Sequence, residues 1–345
     1  MLDQFDAGHT KGSSHGSSRI FRLAYPEMIY VHLAQKARGL WQQLETETSR
    51  RVLRVTGAVD HGDPVVIEAL RGAMRSAGAR CEVLSPAAAH QRWPMLRFDS
   101  DVLVHADGGR LDADEAVGAL LAAAVARGAH VRRGVRVESL ATRTDGRVEV
   151  RTGGETLIAD NVVVAAGGWV HALLPDVPLP PMRVTQEQTA HFAVANPKIE
   201  WPSFIHHPEV KGMTGGVSPA PSGVYGLGDT GADGSAGVKI GFHAIGSVVD
   251  PDNRDSSPDP ATHEQLQRYA EQWLPGAEAA TAVSTTCLYT QTPDHNFVID
   301  RQGPIVVAAG FSGHGFKFGP ALGELITRLV LDNATTPALF AFGPR

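Results

Sequence analysis

A run of β-branched and small residues from Asn161 to Ala166 most constrains the fold of this chain. The run is apolar without alternation, and it ends at the pair Gly167-Gly168. Such a run is typical of a parallel strand that is buried on both faces, and parallel strands need long crossover connections that usually contain a helix. It therefore predicts a mixed α/β fold, in which helices lie between strands.

Periodic segments on both sides of this run also predict helices that lie between strands. Apolar residues at helical spacing predict a helix over residues 30–49. Asp112 or Asp114 can cap a second helix that ends near Arg127, and a third helix is predicted at 321–331. Further strands are predicted at 131–137, 147–151, 296–300 and 305–309, and the chain between 181 and 290 alternates as antiparallel strands do.

The length of the chain indicates more than one domain. Its 345 residues exceed what one hydrophobic core usually organises, so two domains that share a cleft are expected. The segments with helices and short buried strands, residues 1–55, 112–182 and 293–345, are assigned to a cofactor domain. Residues 56–111 and 183–292 are assigned to a mostly antiparallel α+β substrate domain, interleaved with the first. Small-molecule sites favour such clefts.

The bulk properties exclude several kinds of protein. A net charge of -6 argues against a nucleic-acid partner. The longest apolar helical run, residues 116–126, is shorter than the roughly 20 residues that a bilayer requires. Two cysteines, Cys81 and Cys287, are too few for a disulfide framework, and the first residues lack a secretory signal. We therefore expect a cytoplasmic protein that does not enter a membrane.

Adjacent histidines do not predict a metal site here. His206 and His207 would point to opposite sides of a strand, and no third ligand follows at metal spacing. We therefore expect no bound metal.

One segment matches the dinucleotide-binding pattern G-x-G-x-x-G, from Gly226 to Gly231. In a true site this pattern opens a helix whose N-terminal amides bind the pyrophosphate. Residues 232–237 are too rich in glycine to form that helix, and residues 238–243 alternate as a strand does. We therefore predict a hairpin at this position.

Four stretches carry the residue types of a flavin-dependent amine oxidase: Gly12-Ser13-Ser14-His15-Gly16-Ser17-Ser18-Arg19-Ile20-Phe21-Arg22, the hairpin with Tyr225, Lys239 and His243, Thr286-Cys287-Leu288-Tyr289, and Gly310-Phe311-Ser312-Gly313-His314-Gly315-Phe316-Lys317. The guanidinium of Arg22 can match a carboxylate with two parallel hydrogen bonds. Lys239 and His243 would share one strand face, and a lysine that points into a core needs a reason to be there. Glycines let backbone amides approach a flat ligand closely.

Together these stretches closely resemble the monomeric sarcosine oxidase family of FAD enzymes, over nearly the whole chain from Asp3 onward. The resemblance implies an FAD-binding Rossmann-like domain interleaved with the substrate domain. It implies that Cys287 holds the flavin covalently through a thioether to the 8α-methyl group, with Tyr289 beside the ring. It also implies that Arg22 and Lys317 bind a substrate carboxylate.

The resemblance assigns the remaining site residues as well. Lys239 would lie over the flavin and activate dioxygen, with Tyr225 and His243 as further catalytic residues of the hairpin. The other implied cofactor contacts are His15, Ser18, Arg19, Gly313, His314, Gly315 and Phe316 along the flavin, and Val137 on the adenine side.

Asp3 stands where the family places an acid on the adenosine ribose. Members of the family carry a G-x-G-x-x-G unit before that acid, whereas the match in this sequence lies in the predicted hairpin. We therefore expect roughly 30 residues of a βαβ unit to be absent from the N-terminus, through a late start or a truncated gene product.

The function implied is that of an FAD-dependent oxidase acting as a monomer. Its substrate would be a secondary amine with a carboxylate, such as sarcosine, another N-methyl amino acid or a cyclic imino acid. Hydride would pass to flavin N5, and dioxygen would reoxidise the flavin to give hydrogen peroxide. Two alternatives stay open, namely a dehydrogenase of the same superfamily that uses another electron acceptor, and a non-catalytic remnant that cannot hold FAD.

Overall fold

The structure is a computed structural model that describes residues 1–207, 223–230, 235–332 and 334–343. The α-helices in these ranges are α1 (Met28–Thr48), α2 (Pro64–Ser76), α3 (Pro86–Arg92), α4 (Ala113–Ala126), α5 (Val170–Leu173), α6 (Pro260–Trp273) and α7 (Gly319–Leu331). The strands are β1 (Arg19–Phe21), β2 (Leu53–Arg54), β3 (Ala58–Gly62), β4 (Glu82–Leu84), β5 (Val102–His105), β6 (Gly109–Leu111), β7 (Val137–Thr142), β8 (Val148–Thr152), β9 (Thr156–Ala159), β10 (Val162–Val164), β11 (Arg183–Ala193), β12 (Ser203–His207), β13 (Val224–Thr230), β14 (Ala236–Phe242), β15 (Ser247–Val248), β16 (Val283–Gln291), β17 (Val298–Gln302) and β18 (Ile305–Ala309).

One large sheet carries most of the strands. It has nine strands in the order β15-β11-β14-β13-β12-β3-β5-β4, with β16 also paired to β11. All of its pairs are antiparallel except β12 with β3. Three smaller sheets have the orders β1-β6-β2, β10-β18-β17 and β7-β8-β9. The mixed α/β class with a mostly antiparallel portion is confirmed.

The predicted parallel strand is confirmed as β10, which pairs with β18 in parallel, with Val162 opposite Ile305. Its burial is only partial, because Val164 is buried while Val163 is 44 % exposed and faces the cavity described below.

Helix α1 connects the helical core to the glycine-rich turn of residues 310–317, called the C-terminal glycine turn below. Its buried residues recur at helical spacing, and Trp41 lies at the centre of the largest apolar cluster. The indole Nε1 of Trp41 donates a 2.8 Å hydrogen bond to the backbone oxygen of Lys317. Because both partners are buried, this bond fixes the turn against a rigid helix.

Helix α4 begins as predicted, but the strand expected after it does not form. The Asp112 side chain accepts a 3.0 Å bond from the backbone N–H of Glu115, which is an N-terminal cap. In place of a strand over 131–137, Arg132 makes one isolated parallel bridge to Leu2, and β7 begins only at Val137. Gly134 has a φ of +67°, which interrupts the extended backbone.

The hairpin predicted at the G-x-G-x-x-G match is confirmed. Strands β13 and β14 pair antiparallel with Leu227 opposite Lys239, and Gly226 to Thr230 lie within β13 rather than before a helix. Gly231 and residues 232–234 lie outside the described residues.

Strand β11 brings two distant stretches of sequence to the same place. On one side it pairs with β14, with His191 opposite Lys239, and on the other with β16, with Glu187 opposite Cys287. The lysine of the hairpin and the cysteine of the later strand therefore flank one strand.

Candidate active site

One cavity of about 2930 Å³ is lined by every residue that the family resemblance assigned to the site. They are Asp3, His15, Ser18, Arg19, Arg22, Val137, Tyr225, Lys239, His243, Cys287, Tyr289, Gly313, His314, Gly315, Phe316 and Lys317. Residues from the two termini, the middle of the chain and the large sheet thus meet on a single surface. The volume exceeds the roughly 300–1,000 Å³ of most small-molecule pockets, so the cavity can hold a large ligand together with a small one.

Arg19 organises the N-terminal loop at this cavity. Its guanidinium donates to three backbone oxygens, those of Ser18 at 2.7 Å, Ser13 at 2.8 Å and His15 at 2.5 Å. The Arg19 Cζ also lies 5.7 Å from the ring centroid of Phe316. Arg19 therefore ties the loop to the C-terminal turn and gives the loop its curvature.

Two cations meet at Tyr25 in one wall of the cavity. The Nζ of Lys317 donates to the Tyr25 hydroxyl at 2.8 Å and to the His314 backbone oxygen at 2.7 Å. The Cζ of Arg22 lies 4.4 Å from the Tyr25 ring centroid. Burial, with the charge of Arg22, holds the pKa of Lys317 well below its usual value. An anion bound here would favour both charged forms.

A buried carboxylate lies behind this cation pair. Asp60 Oδ1 is 3.3 Å from Arg22 Nη1 and 2.9 Å from His207 Nε2, while Oδ2 is 3.2 Å from His105 Nε2. Burial by itself would raise the pKa of Asp60, but the two histidine bonds and the charge of Arg22 hold it well below its usual value. Asp60 therefore stays ionised and orients Arg22.

The large sheet supplies the opposite wall. The Nζ of Lys239 donates a 2.7 Å bond to the backbone oxygen of Ser18, and burial lowers its pKa to about 8. Burial lowers the pKa of His243 to about 3, so its imidazole is neutral at pH 7. The His243 ring centroid lies 5.8 Å from that of Tyr289. Burial raises the pKa of both Tyr225 and Tyr289, which keeps the two phenols protonated.

The thiol of Cys287 lies on the same side of the cavity. Burial raises its pKa, while the charges of Arg19 and Lys239 act in the opposite direction. Cys81, the other free cysteine, packs against the helical cluster and lies outside the cavity lining.

The C-terminal glycine turn needs its glycines for two separate reasons. Gly310 and Gly313 have φ angles of +61° and +78°, which side chains other than glycine disfavour. A Cβ at Gly313 would come within 2.0 Å of the Tyr289 ring. The backbone of the turn therefore packs directly on that ring.

We expect Gly313→Ala to destabilise the protein by about 2 kcal/mol or more, because it adds left-handed strain to a clash with an aromatic ring. Gly154→Ala is the matched control, since no atom lies within 4 Å of its added Cβ and its φ is not positive. Urea unfolding of the two variants measures the difference, and equal stability would contradict the account of the turn.

The far end of the cavity is formed by Asp3 and Val137. The N–H of Asp3 donates to the Arg132 oxygen at 2.9 Å, and the Asp3 oxygen accepts from Val135 at the same distance. The Asp3 carboxylate accepts a 3.0 Å bond from the N–H of Phe5. An elongated ligand could therefore extend from the lysine-bearing turn to the first residues of the chain.

Comparison with known proteins decides the family. The model of the family described as FAD dependent oxidoreductase matches residues 1–329. The chain belongs to this FAD-dependent oxidoreductase family. It is therefore an FAD-dependent amine oxidase.

Relatives within this family include characterised oxidases. The chain is 32 % identical to "Monomeric sarcosine oxidase" of Bacillus sp. (strain B-0618), over 97 % of this chain and 86 % of the relative. It is 32 % identical to "Peroxisomal sarcosine oxidase" of Mus musculus, over 95 % and 85 %. The fold matches that of NikD, "an unusual amino acid oxidase essential for nikkomycin biosynthesis", with a TM-score of 0.82, 24 % identity, and coverage of 99 % of this chain and 90 % of NikD.

Buried polar atoms along the cavity of this family member fit a flavin. His15 Nε2 and His314 Nδ1 are buried and lack a hydrogen-bond partner within the described ranges. Unpaired buried polar atoms are unfavourable, and each of these residues lines the cavity. The polar edge of a flavin ring offers partners of the kind that these atoms need.

Sequence reasoning missed Asp60, His105 and Tyr25, which support the two cations. One signal was present, since Asp60 stands in the apolar strand pattern Ala58-Val59-Asp60, where a charge must be paired. No pattern along the chain linked it to Arg22, because the contact depends on tertiary structure.

The structure also gives His206 neighbours that its sequence spacing did not reveal. Ligand atoms of His61, Asp99 and His206 lie within 4.8 Å of one another. The His61 and His206 rings are stacked, with centroids 4.2 Å apart and planes at 20°. Imidazole binds metals in the ring plane, so stacked rings do not aim their nitrogens at a common ion. The absence of a metal stays a prediction.

None of the helices in the described ranges has the length and apolar character of a membrane span.

We expect Asp60→Asn to destabilise the protein by about 3 kcal/mol at pH 7, because it leaves the Arg22 guanidinium without its carboxylate partner. The folded-state pKa of Asp60 lies below its usual value. Its contribution is therefore complete above the unfolded pKa of about 4 and is lost as the pH falls toward the folded pKa. In urea unfolding, the difference in free energy of unfolding between wild type and Asp60→Asn should become smaller below about pH 4. The exposed Asp176→Asn is the control, and a gap that does not depend on pH would contradict the prediction.

Proposed function

We propose that this enzyme oxidises a secondary amine that carries a carboxylate, acts as a monomer, and uses dioxygen as its electron acceptor. Sarcosine, other N-methyl amino acids and cyclic imino acids are the candidate substrates. The observation that carries the proposal is the pair of cations, Arg22 and Lys317, that share Tyr25 at the cavity wall. The names of the relatives support the amine class.

The cation pair explains why a carboxylate is part of the substrate. Among the described residues, the buried Lys317 Nζ donates to two neutral acceptors, the Tyr25 hydroxyl and the His314 backbone oxygen. A substrate carboxylate would supply the missing negative charge and accept from Arg22 as well. Anchoring at one end fixes the direction of the amine, and such orientation contributes strongly to rate.

The walls around the anchored substrate suit a neutral amine. His243 is uncharged at neutral pH, and the phenols of Tyr225 and Tyr289 keep their protons. An amine that binds without its proton therefore meets uncharged side chains at these three positions. When bound, the flavin supplies a hydride acceptor at N5 and a carrier of electrons to dioxygen.

Lys239 is proposed as the residue that makes dioxygen the acceptor. Its ammonium is buried, lines the cavity and is held by the Ser18 oxygen. A fixed cation stabilises negative charge as dioxygen accepts an electron. Cys287 is proposed to hold the flavin through a thioether, since its thiol lines the same cavity.

We expect Arg22→Gln to raise the KM for sarcosine by about 10- to 100-fold, since a charge-assisted hydrogen bond contributes roughly 1.5–3 kcal/mol. The KM for the corresponding amide, which lacks the carboxylate charge, should change little. Arg268→Gln, on the exposed face of α6, is the control.

Initial rates are measured with an oxygen electrode while hydrogen peroxide is determined in parallel. One peroxide per amine oxidised is the expected stoichiometry. An equal change of KM for acid and amide would contradict the carboxylate anchor. Turnover with an artificial dye but not with dioxygen would favour a dehydrogenase.

A further inference from the structure

Three ionisable side chains lie on one face of the sheet formed by β11, β14 and β13. Lys239 on β14 is opposite His191 on β11 and opposite Leu227 on β13. Asp229 lies two residues beyond Leu227, and side chains two apart on a strand share a face. Asp229 is therefore a diagonal neighbour of Lys239 on the same face, although the Lys239 Nζ donates to the Ser18 oxygen and makes no direct ion pair with Asp229.

His191 and Asp229 meet across the middle strand. The Nδ1 of His191 lies 2.5 Å from Oδ2 of Asp229, although β14 runs between their strands. On this face of β14, Gly237 is opposite Asp229 and Lys239 is opposite His191, so the contact crosses the strand diagonally between these two positions. The Asp229 side chain is almost fully buried.

Asp229 is a negative charge near Lys239 that favours its ammonium form over the neutral amine. Burial lowers the pKa of Lys239 to about 8, and the charges of Arg19 and Arg110 act in the same direction. Asp229 and the thiol of Cys287 act in the opposite direction. The groups that face Lys239 are thus Arg19 on β1, Arg110 on β6, His191 on β11, Asp229 on β13 and Cys287 on β16. Asp229 is the carboxylate of this set.

We propose that Asp229 is a positioning residue for Lys239: fixed by His191, its carboxylate keeps the Lys239 ammonium charged in the oxidase. The pairing follows from the sheet register and from the contact between His191 and Asp229 across β14. Its consequence for the reaction with dioxygen rests on the proposed function. Sequence spacing did not indicate it, because the three residues come from three separate strands.

The first test measures the pairing without catalysis, on the flavin-containing protein. Free energies of unfolding are determined for wild type, Asp229→Asn, Lys239→Met and the double variant. If the two side chains are coupled, the loss in the folding equilibrium constant caused by Asp229→Asn should be at least ~5-fold smaller in the Lys239→Met background. Equal losses in the two backgrounds would overturn the pairing.

The second test follows the rate of flavin reoxidation by dioxygen as a function of pH. In the wild type the rate should fall as the pH rises through the pKa of Lys239, where the ammonium is lost. Removing a nearby negative charge lowers a lysine pKa, so Asp229→Asn should move this fall to lower pH. His191→Gln, which keeps the carboxylate but loosens it, should move the fall in the same direction by less. Exposed Glu264→Gln on α6 is the control and should leave it in place.

The outcomes separate this inference from the proposed function. If Lys239→Met slows reoxidation but neither Asp229→Asn nor His191→Gln moves the pH profile, the inference is wrong and the function of Lys239 stands. If Lys239→Met leaves reoxidation unchanged, the proposed role of Lys239 fails, and the unfolding cycle still decides the pairing. Should Asp229→Asn not fold, His191→Gln carries the pH test alone.

Discussion

Cys287→Ser should give a protein that binds flavin but releases all of it when precipitated with acid. The wild-type precipitate should stay yellow, because a thioether survives denaturation whereas hydrogen bonds and packing do not. The expectation rests on the position of the thiol, which lines the cavity beside Tyr289 and the glycine turn. Serine is close to cysteine in size, so the pocket itself should persist.

The second cysteine provides the control for this experiment. Cys81→Ser changes a half-buried thiol away from the cavity, and its precipitate should remain coloured. Absorbance of precipitate and supernatant at the flavin maximum measures the partition. A wild-type supernatant that holds all of the flavin would show that no covalent bond forms.

Lys239→Met should slow the reoxidation of reduced flavin by dioxygen by roughly 100- to 1,000-fold, the usual effect of removing one preorganised donor from developing negative charge. Methionine keeps most of the length of the side chain but removes its charge and its hydrogen bond to the Ser18 oxygen. Flavin reduction by the amine under anaerobic conditions should change far less, because negative charge near the lysine develops only in the second half-reaction.

Stopped-flow absorbance separates the two half-reactions. Lys36→Met is the matched control, since Lys36 is an exposed lysine on α1 that pairs with Glu324. Equal slowing of both half-reactions in Lys239→Met would mean that the lysine supports the site in general and has no specific role toward dioxygen.

Several elements were fixed by local sequence. The β-branched run predicted the parallel strand β10, because a strand covered on both faces must be apolar on both. The Asp112 cap predicted the start of α4, and the glycine content after Gly228 excluded a helix at the false dinucleotide pattern. Each of these signals acts within a few residues, so it can be recognised without knowing the fold.

The composition of the cavity wall was also recognisable, since family resemblance connected Arg22, Lys239, Cys287 and Lys317 along the chain. Their meeting in one cavity is a property of the fold, in which β11 separates β14 from β16 and α1 fixes the glycine turn. Local patterns also predicted a strand over residues 131–137 that does not form, because Gly134 takes a positive φ where the chain returns to Leu2.

The sequence by itself determined the class of fold, the main helices and the residue types of an oxidase site, since these follow from periodicity and from motifs. Only the tertiary structure decided which charges neutralise one another. Asp60 reaches Arg22 across 38 positions, and Asp229 meets His191 across the intervening strand β14. Buried charges need partners, but the partner is selected by distance in space, which sheet register and packing set.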